Sequence, residues 1–409
     1  MKFKAENINI LTRITLAIAI LLPVASHARL EYALEHRITS CTGCHASPFG
    51  GGPKNVDGKM YASRFDEPSP WSKQEMVSLD VRAISYYPKS GTASRQGTAL
   101  MATSAFVDVP IKTDSTGREL RFVGGYNFGM NVPGARDIYG QWRSGPKVDN
   151  PAYIQIGRIN VPFGILTDEH RTFTRLLTRT GIFDYEFGAS FSKNWGDGIH
   201  YDLAVTNGGR SGGAFVDNSS VTPDATTGYI ANVRWMPSFL PLLVGASGEY
   251  EDRLTPNPTP NSIGGYFALS LDRLTHNRFL GSVIGEAVSA RHFSDVGNPN
   301  IARYFIPGAG DAGFVSQISN ETAFAWYTQV NWNFAPRWVG QYRFERIVFD
   351  QNYSGDRFVR HEYSLKYFAD SNISLLARYE LADVGRAEIK GTNTPMAEDA
   401  FWLMAQLWL

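Results

Sequence analysis

The chain has two cysteines in 409 residues, and both lie in one pentapeptide, Cys41-Thr42-Gly43-Cys44-His45. Cysteines separated by two residues and followed at once by histidine form the pattern of covalent haem attachment. Each thiol makes a thioether with a vinyl group of the macrocycle, and the adjacent imidazole becomes an axial ligand of the iron. The spacing puts both thiols about one helical turn apart and aims the imidazole at the metal held on that turn. The expected cofactor is one covalent haem c, with Cys41 and Cys44 as attachment points and His45 as proximal ligand. Other readings of a CxxC pair fit less well. A thioredoxin-like redox pair sits in a βαβ context, and none surrounds these residues. A zinc site wants four ligands, and there is no second cysteine pair.

The second axial position stays open among His36, Met60 and Met76, all in the N-terminal segment. His36 would give a low-potential bis-imidazole iron, whereas Met60 would raise the potential. A solvated His36, with the iron five-coordinate or bound by a more distant side chain, fits as well. His170, His200, His276, His292 and His361 show no close pairing along the chain and are expected in lumen, loop or interface positions.

The elements that position the motif follow from composition and periodicity. Residues 1–28 read as an export signal: basic Lys2, Lys4 and Arg13, an apolar run from Ile14 to Ala25, and small Ser26 and Ala28 before the expected cleavage point. That run is too short for a membrane-spanning helix, which needs ~20 apolar residues, and no later stretch approaches that length. Residues 29–77 are expected to be a small haem segment able to plug whatever follows. It is rich in Gly, Pro and Ser, as in SPFGGGPKN at 47–55 and DEPSPW at 66–71.

From 78 to 409, segments of about ten residues alternate apolar and polar side chains between clusters of Gly, Asn, Asp and Pro. Between Arg337 and Asp350, Trp338, Tyr342 and Phe344 share one face, and Gln341, Arg343 and Glu345 the other. The stretches 322–333, 357–369 and 372–383 repeat the pattern. The final residues do so too, with Phe401, Leu403, Ala405 and Leu407 set against Trp402, Met404 and Gln406. A chain ending in a strand resembles outer-membrane barrel proteins, although most of those end in an aromatic residue and this one ends Trp408-Leu409. A soluble β-sandwich also alternates. Charges confined to one strand face, with aromatics near the strand ends of the other, favour an all-β transmembrane barrel of about 16 antiparallel strands around a water-filled lumen. Stretches 207–227, 252–262 and 294–320 are expected to be extracellular loops.

Lys and Arg total 39 and Asp and Glu total 39, scattered along the chain, so no basic stripe marks a nucleic-acid partner. No Gly-x-Ser-x-Gly elbow, HExxH or phosphate loop supports hydrolysis.

On these residues the chain resembles the bacterial fused monohaem cytochrome-porins, in which a short haem segment precedes an outer-membrane barrel. CTGCHASPFGGGPKNVDGKMYASRF is similar to that family's haem motif, Ser-Pro turn, triple glycine, Asn, and Gly before a basic residue, with Asp57 where some members have Tyr. YIQIGRINVPFGIL at 153–166 is similar to a Gly-Arg…Pro-Phe-Gly signature of phosphate-selective-type porins, although Arg158 need not bind phosphate. The resemblance covers the whole mature chain. It implies an outer-membrane electron-transfer protein related to iron-oxidation cytochromes, with a ferrous-iron oxidase-type activity. Its partners would be a periplasmic c-type cytochrome, an extracellular donor or acceptor such as iron, and outer-membrane lipid. The haem is expected near the outer surface of a plugged barrel. The alternative is a diffusion porin for small anions or solutes, with a structural or gating haem segment. Arg343, Glu345, Arg360, Glu362, Arg378 and Glu380 would line either lumen. An enzyme acting on a small substrate such as peroxide would need an open iron position.

Overall fold

The computed structural model describes residues 33–34, 39–49, 76–88, 97–128, 134–146, 150–165, 172–178, 180, 184–196, 198–208, 211–212, 226–253, 261–277, 280–291, 322–335, 337–348, 357–370, 373–384 and 399–408. The expected export signal, His36, Met60, His170, His292 and most of the expected long loops lie outside them.

The strands, in chain order, are β1 (Val77–Pro88), β2 (Gly97–Thr113), β3 (Glu119–Asn127), β4 (Gly134–Arg143), β5 (Tyr153–Asn160), β6 (Asp184–Trp195), β7 (Ile199–Thr206) and β8 (Ser211–Gly212). They continue as β9 (Thr226–Trp235), β10 (Leu242–Arg253), β11 (Asn261–Ser270), β12 (Ser282–Arg291), β13 (Thr322–Ala335), β14 (Trp338–Val348), β15 (Arg357–Asp370), β16 (Ile373–Val384) and β17 (Ala400–Trp408). Two short helices interrupt them, α1 (Phe173–Thr178) and α2 (Leu271–Thr275).

Neighbouring strands pair antiparallel. The two-residue β8 touches only β6, so β7 pairs with β9. The last strand returns to the first in unbroken register, from Asp80↔Trp408 to Pro88↔Ala400. Sixteen long strands among the described residues therefore close into one barrel, which leaves no unpaired sheet edge in a medium without water. The barrel opens at Val77, one residue before the expected boundary. The four segments read from periodicity are β13 to β16, and β17 is the expected final strand.

Period two sorts the side chains. In β7, His200, Asp202, Ala204 and Thr206 are buried in the lumen, whereas Ile199, Leu203 and Val205 are exposed. In β9, Ile230, Asn232 and Arg234 face in, and Tyr229, Val233 and Trp235 face out. An outer wall this apolar is stable against hydrocarbon rather than water. Outward aromatics gather towards both strand ends: the Trp338 ring lies 4.5 Å from Tyr367 and 6.2 Å from Phe334, and Trp326 lies 5.0 Å from Phe344. Leu203→Arg should therefore lower barrel stability by about 2–4 kcal/mol in reversible unfolding from lipid vesicles, the penalty of a cation on the lipid face near the midplane. An unchanged unfolding midpoint would place that face in water.

The two ends differ. The strand ends separated by the short intervals 196–198, 236–241, 336–337 and 371–372 lie where β1 begins and β17 finishes, while those separated by the long intervals 161–183, 292–321 and 385–399 lie at the other end. In barrels of this kind the short turns face the periplasm. The β2–β3 turn also belongs to the short-turn end. There Asp114 accepts from Thr116 Oγ1 at 2.7 Å and from the amides of Thr116 and Arg118, bonds that hold its carboxyl below the usual range.

Candidate functional site

The cysteine motif forms its own small structure. Cys41–Gly43 is a single 3-10 turn capped by Ser40, whose hydroxyl accepts from Thr42 N. Cys44 N and His45 N both donate to Cys41 O, at 3.0 and 2.8 Å, and Cys41 N donates to Pro48 O at 3.1 Å. Both thiols and the imidazole are thus held by one turn. The cysteines are half-buried and form no disulfide, while His45 is 3% exposed.

This turn lies inside the barrel. Arg234 on β9 donates from Nη1 to Cys41 Sγ at 3.4 Å and from Nη2 to Pro48 O at 3.2 Å. Thr39 Oγ1 donates to Asn194 Oδ1 on β6 at 3.2 Å, and Thr42 hydrogen-bonds Tyr153 on β5. Ala46 joins an apolar cluster with Val123, Tyr139, Phe163, Ala204 and Ile230, and Leu34 packs with Ile165, Met236, Leu243 and Tyr266. Tyr153 opens β5, whereas Asn194 and Arg234 lie one residue before the ends of their strands. All three mark the short-turn end. The expectation of a motif near the outer surface is therefore corrected, because its wall partners sit at the opposite end of the barrel.

A second segment enters the lumen, and the sequence reading missed it. After β5 the chain turns inward at Val161, Phe163 and Ile165, all buried, and carries α1 across to β12, β13 and β14 on the far wall. Glu286 on β12 anchors it. The carboxylate takes an ion pair from Arg175, a bond from Thr174 Oγ1 at 2.8 Å and one from Ile165 N at 3.0 Å. Arg175 also donates to Phe163 O at 2.7 Å and Thr180 Oγ1 at 2.6 Å. The Pro-Phe-Gly of the sequence signature is the entry of this segment. Gly164 sits at φ +63°, and a Cβ there would collide with Glu286 and Arg175. Phe163 and Ala46 share one cluster, so the inward segment and the cysteine motif meet inside the lumen.

The six charged residues expected in the lumen are there, but as a paired ladder on adjacent strands. Glu345 pairs with Arg360 and with Arg343 (3.3 Å), and Glu362 with Arg343 (3.5 Å) and Arg378 (3.1 Å). Register sets Glu362 opposite Glu380, a like-charge contact that Arg378, also 3.9 Å from Glu380, offsets. Arg360 stacks 4.8 Å over Phe173, which ties the ladder to α1. On the lumen wall Glu186, Glu249 and Glu251 also converge within 4.8 Å, and Glu186 accepts from Thr206.

Among the histidines, the expectation of no close pairing fails at His200. Its Nε2 lies 2.8 Å from Asp202 Oδ1 and its Nδ1 2.6 Å from Asn194 Oδ1. His361 meets Tyr342 on the outer wall at 2.9 Å, and His276 is exposed at the end of α2. Met76 is 52% exposed at the head of β1, an unsuitable place for a ligand to iron beside the buried His45.

The residues present fit a covalent haem. Two half-exposed thiols and an imidazole on one turn are the donor set that attachment needs, and a guanidinium stands at one sulfur.

No family model matches the chain, and no curated protein matches it. The resemblance to fused cytochrome-porins therefore rests on the motif residues alone. Solved structures do match the barrel. The outer membrane channel DcaP of Acinetobacter baumannii is 11% identical at a TM-score of 0.55, over 81% of this chain and 96% of that one. An anion-selective porin from Comamonas acidovorans is 9% identical at a TM-score of 0.55, over 81% and 98%. OmpF of Salmonella typhi, in complex with daunomycin, is 10% identical at a TM-score of 0.55, over 81% and 97%. At these identities the likeness is one of fold, and in fold the chain is a closed sixteen-strand antiparallel barrel like the outer-membrane porins.

Proposed function

We propose that the chain is an outer-membrane electron-transfer protein whose barrel holds one haem c in its lumen, between a periplasmic c-type cytochrome and an extracellular donor or acceptor such as iron. The observation that carries this reading is the lodging of the CTGCH turn inside the barrel, against Arg234, Asn194 and Tyr153. Cys41 and Cys44 would hold the group, His45 would ligate its iron, and His36 or Met60 is the candidate for the distal side. Haem bound there supplies one-electron ferrous–ferric cycling. The protein's own residues do the rest. The strand ladder carries the turn within a hydrocarbon layer of about 30 Å. The packed inward segment keeps bulk water and ions from streaming past it. His45, buried and fixed by its amide bond to Cys41 O, has its position set before iron is bound.

The second reading is a diffusion porin for small anions or solutes, in which the haem segment tethers or gates. The likeness to porins backs this reading more directly than the first, and lumen charges of both signs suit it. One preparation separates the two. Protein matured with the cytochrome c assembly machinery and purified in detergent is taken through oxidised and reduced optical spectra and through single-channel recording in planar bilayers. A reversibly reducible covalent haem in a barrel that barely conducts is the expected result. Large stable conductance with no covalent haem makes the protein a porin.

A further inference from the structure

The contacts between the cysteine motif and the wall form a closed circuit that starts and ends on the N-terminal segment. Thr39 Oγ1 reaches Asn194 Oδ1 at 3.2 Å, and the same oxygen lies 2.6 Å from His200 Nδ1. His200 Nε2 is 2.8 Å from Asp202 Oδ1, and the other carboxylate oxygen takes Arg234 Nη2 at 2.7 Å. The Arg234 fork then returns to Cys41 Sγ and Pro48 O. Three strands, β6, β7 and β9, supply the four wall residues, and His200, Asp202 and Arg234 are buried. Asn232 on β9 joins the circuit through its Nδ2, 3.5 Å from Asp202.

A buried arginine, aspartate and histidine in one lumen patch need a reason. Desolvating them has a cost, which mutual pairing only partly offsets, and a wall built merely to be wet could place Ser or Asn there. The guanidinium fork suits this place because it is planar and rigid: one head serves a carboxylate, a backbone carbonyl and a sulfur at once, which an ammonium cannot do with the same fixed geometry.

We infer that Asn194, His200, Asp202 and Arg234 are positioning residues that latch the attachment turn to the inner end of the barrel, and that Arg234 and Asp202 set the field at its sulfur. The latch stands on contacts of the protein alone, while the field depends on the haem reading above. The two charges act in opposite directions. A cation held near Cys41 favours the reduced iron and raises the potential, and the anion beside it favours the oxidised iron.

The test uses full-length matured protein in detergent and the variants Arg234→Gln, Arg234→Lys and Asp202→Asn. Barrel formation is verified by the gel-mobility shift on boiling. Arg234→Gln should raise protease clipping within residues 39–49 about tenfold or more, since it forfeits a charged hydrogen bond and clipping tracks the population of the undocked segment. Arg234→Lys, which keeps the charge but not the fork, should clip faster as well while holding the midpoint potential near that of the wild type. The potential should fall in Arg234→Gln and rise in Asp202→Asn. A general loosening of the barrel cannot produce that opposition of sign. Unchanged clipping in Arg234→Gln overturns the latch, and potentials that shift together overturn the field. Wild-type protein without haem would defeat the proposed function, yet the clipping comparison would still decide the latch.

Discussion

Cys41→Ala combined with Cys44→Ala should abolish covalent haem altogether, from one per chain to none, while the barrel folds as before. On the haem reading, a denaturing gel stained for haem should show a coloured wild-type band, because thioethers survive unfolding, and a colourless double variant. His45→Ala behaves differently. On the same reading it should retain the colour, since Cys41 and Cys44 would still hold the group, but change the optical spectrum, since His45 would no longer ligate its iron. The barrel is indifferent to the cysteines because closure is carried by backbone ladders from β1 to β17. The wall meets the motif through Pro48 O, Thr39 and Thr42 as well as through Cys41. A colourless wild-type band from cells with working maturation machinery would end the haem reading and leave the porin.

The second large effect concerns the inward segment. Glu286→Ala removes the acceptor of Arg175, Thr174 Oγ1 and Ile165 N together, and it leaves a fully buried guanidinium without its carboxylate. Breaking a buried pair from one side costs about 3–5 kcal/mol. Here the loss falls on a segment that can leave the wall rather than on the barrel itself. Single-channel recordings should therefore show stable open steps beyond those of the wild type, which the electron-transfer reading expects to be nearly silent, with new protease cuts between residues 161 and 183. Replacing both partners, Arg175→Met with Glu286→Leu, should recover most of the silence because no charge is left buried. Wild-type conductance in Glu286→Ala would mean that this pair does not hold the lumen closed.

The barrel was legible from the sequence because period two is local. Each of β13 to β16 announces its inner and outer faces within a dozen residues, as Arg343 and Glu345 do against Tyr342 and Phe344. The motif was legible for the same reason, its five residues being contiguous. What sequence could not give was which end of the barrel receives the motif, since that depends on Arg234, 193 residues from Cys41. Arg175 and Glu286, 111 residues apart, carry no mark of their meeting either. His200 and Asp202 did leave a signal, an imidazole and a carboxylate two apart on the lumen face of one strand. Distance along the chain to any second cluster kept it from being read as a pair.

The seat of the cysteine turn at the short-turn end leaves most of the height of β9 between it and the long-loop end of the barrel. Arg234 stands near one end of β9 and Thr226 at the other, a rise of about 26 Å along the strand at ~3.3 Å per residue. On the electron-transfer reading, a donor outside the cell is separated from the turn by that height and by the inward segment that crosses the lumen to β12, β13 and β14.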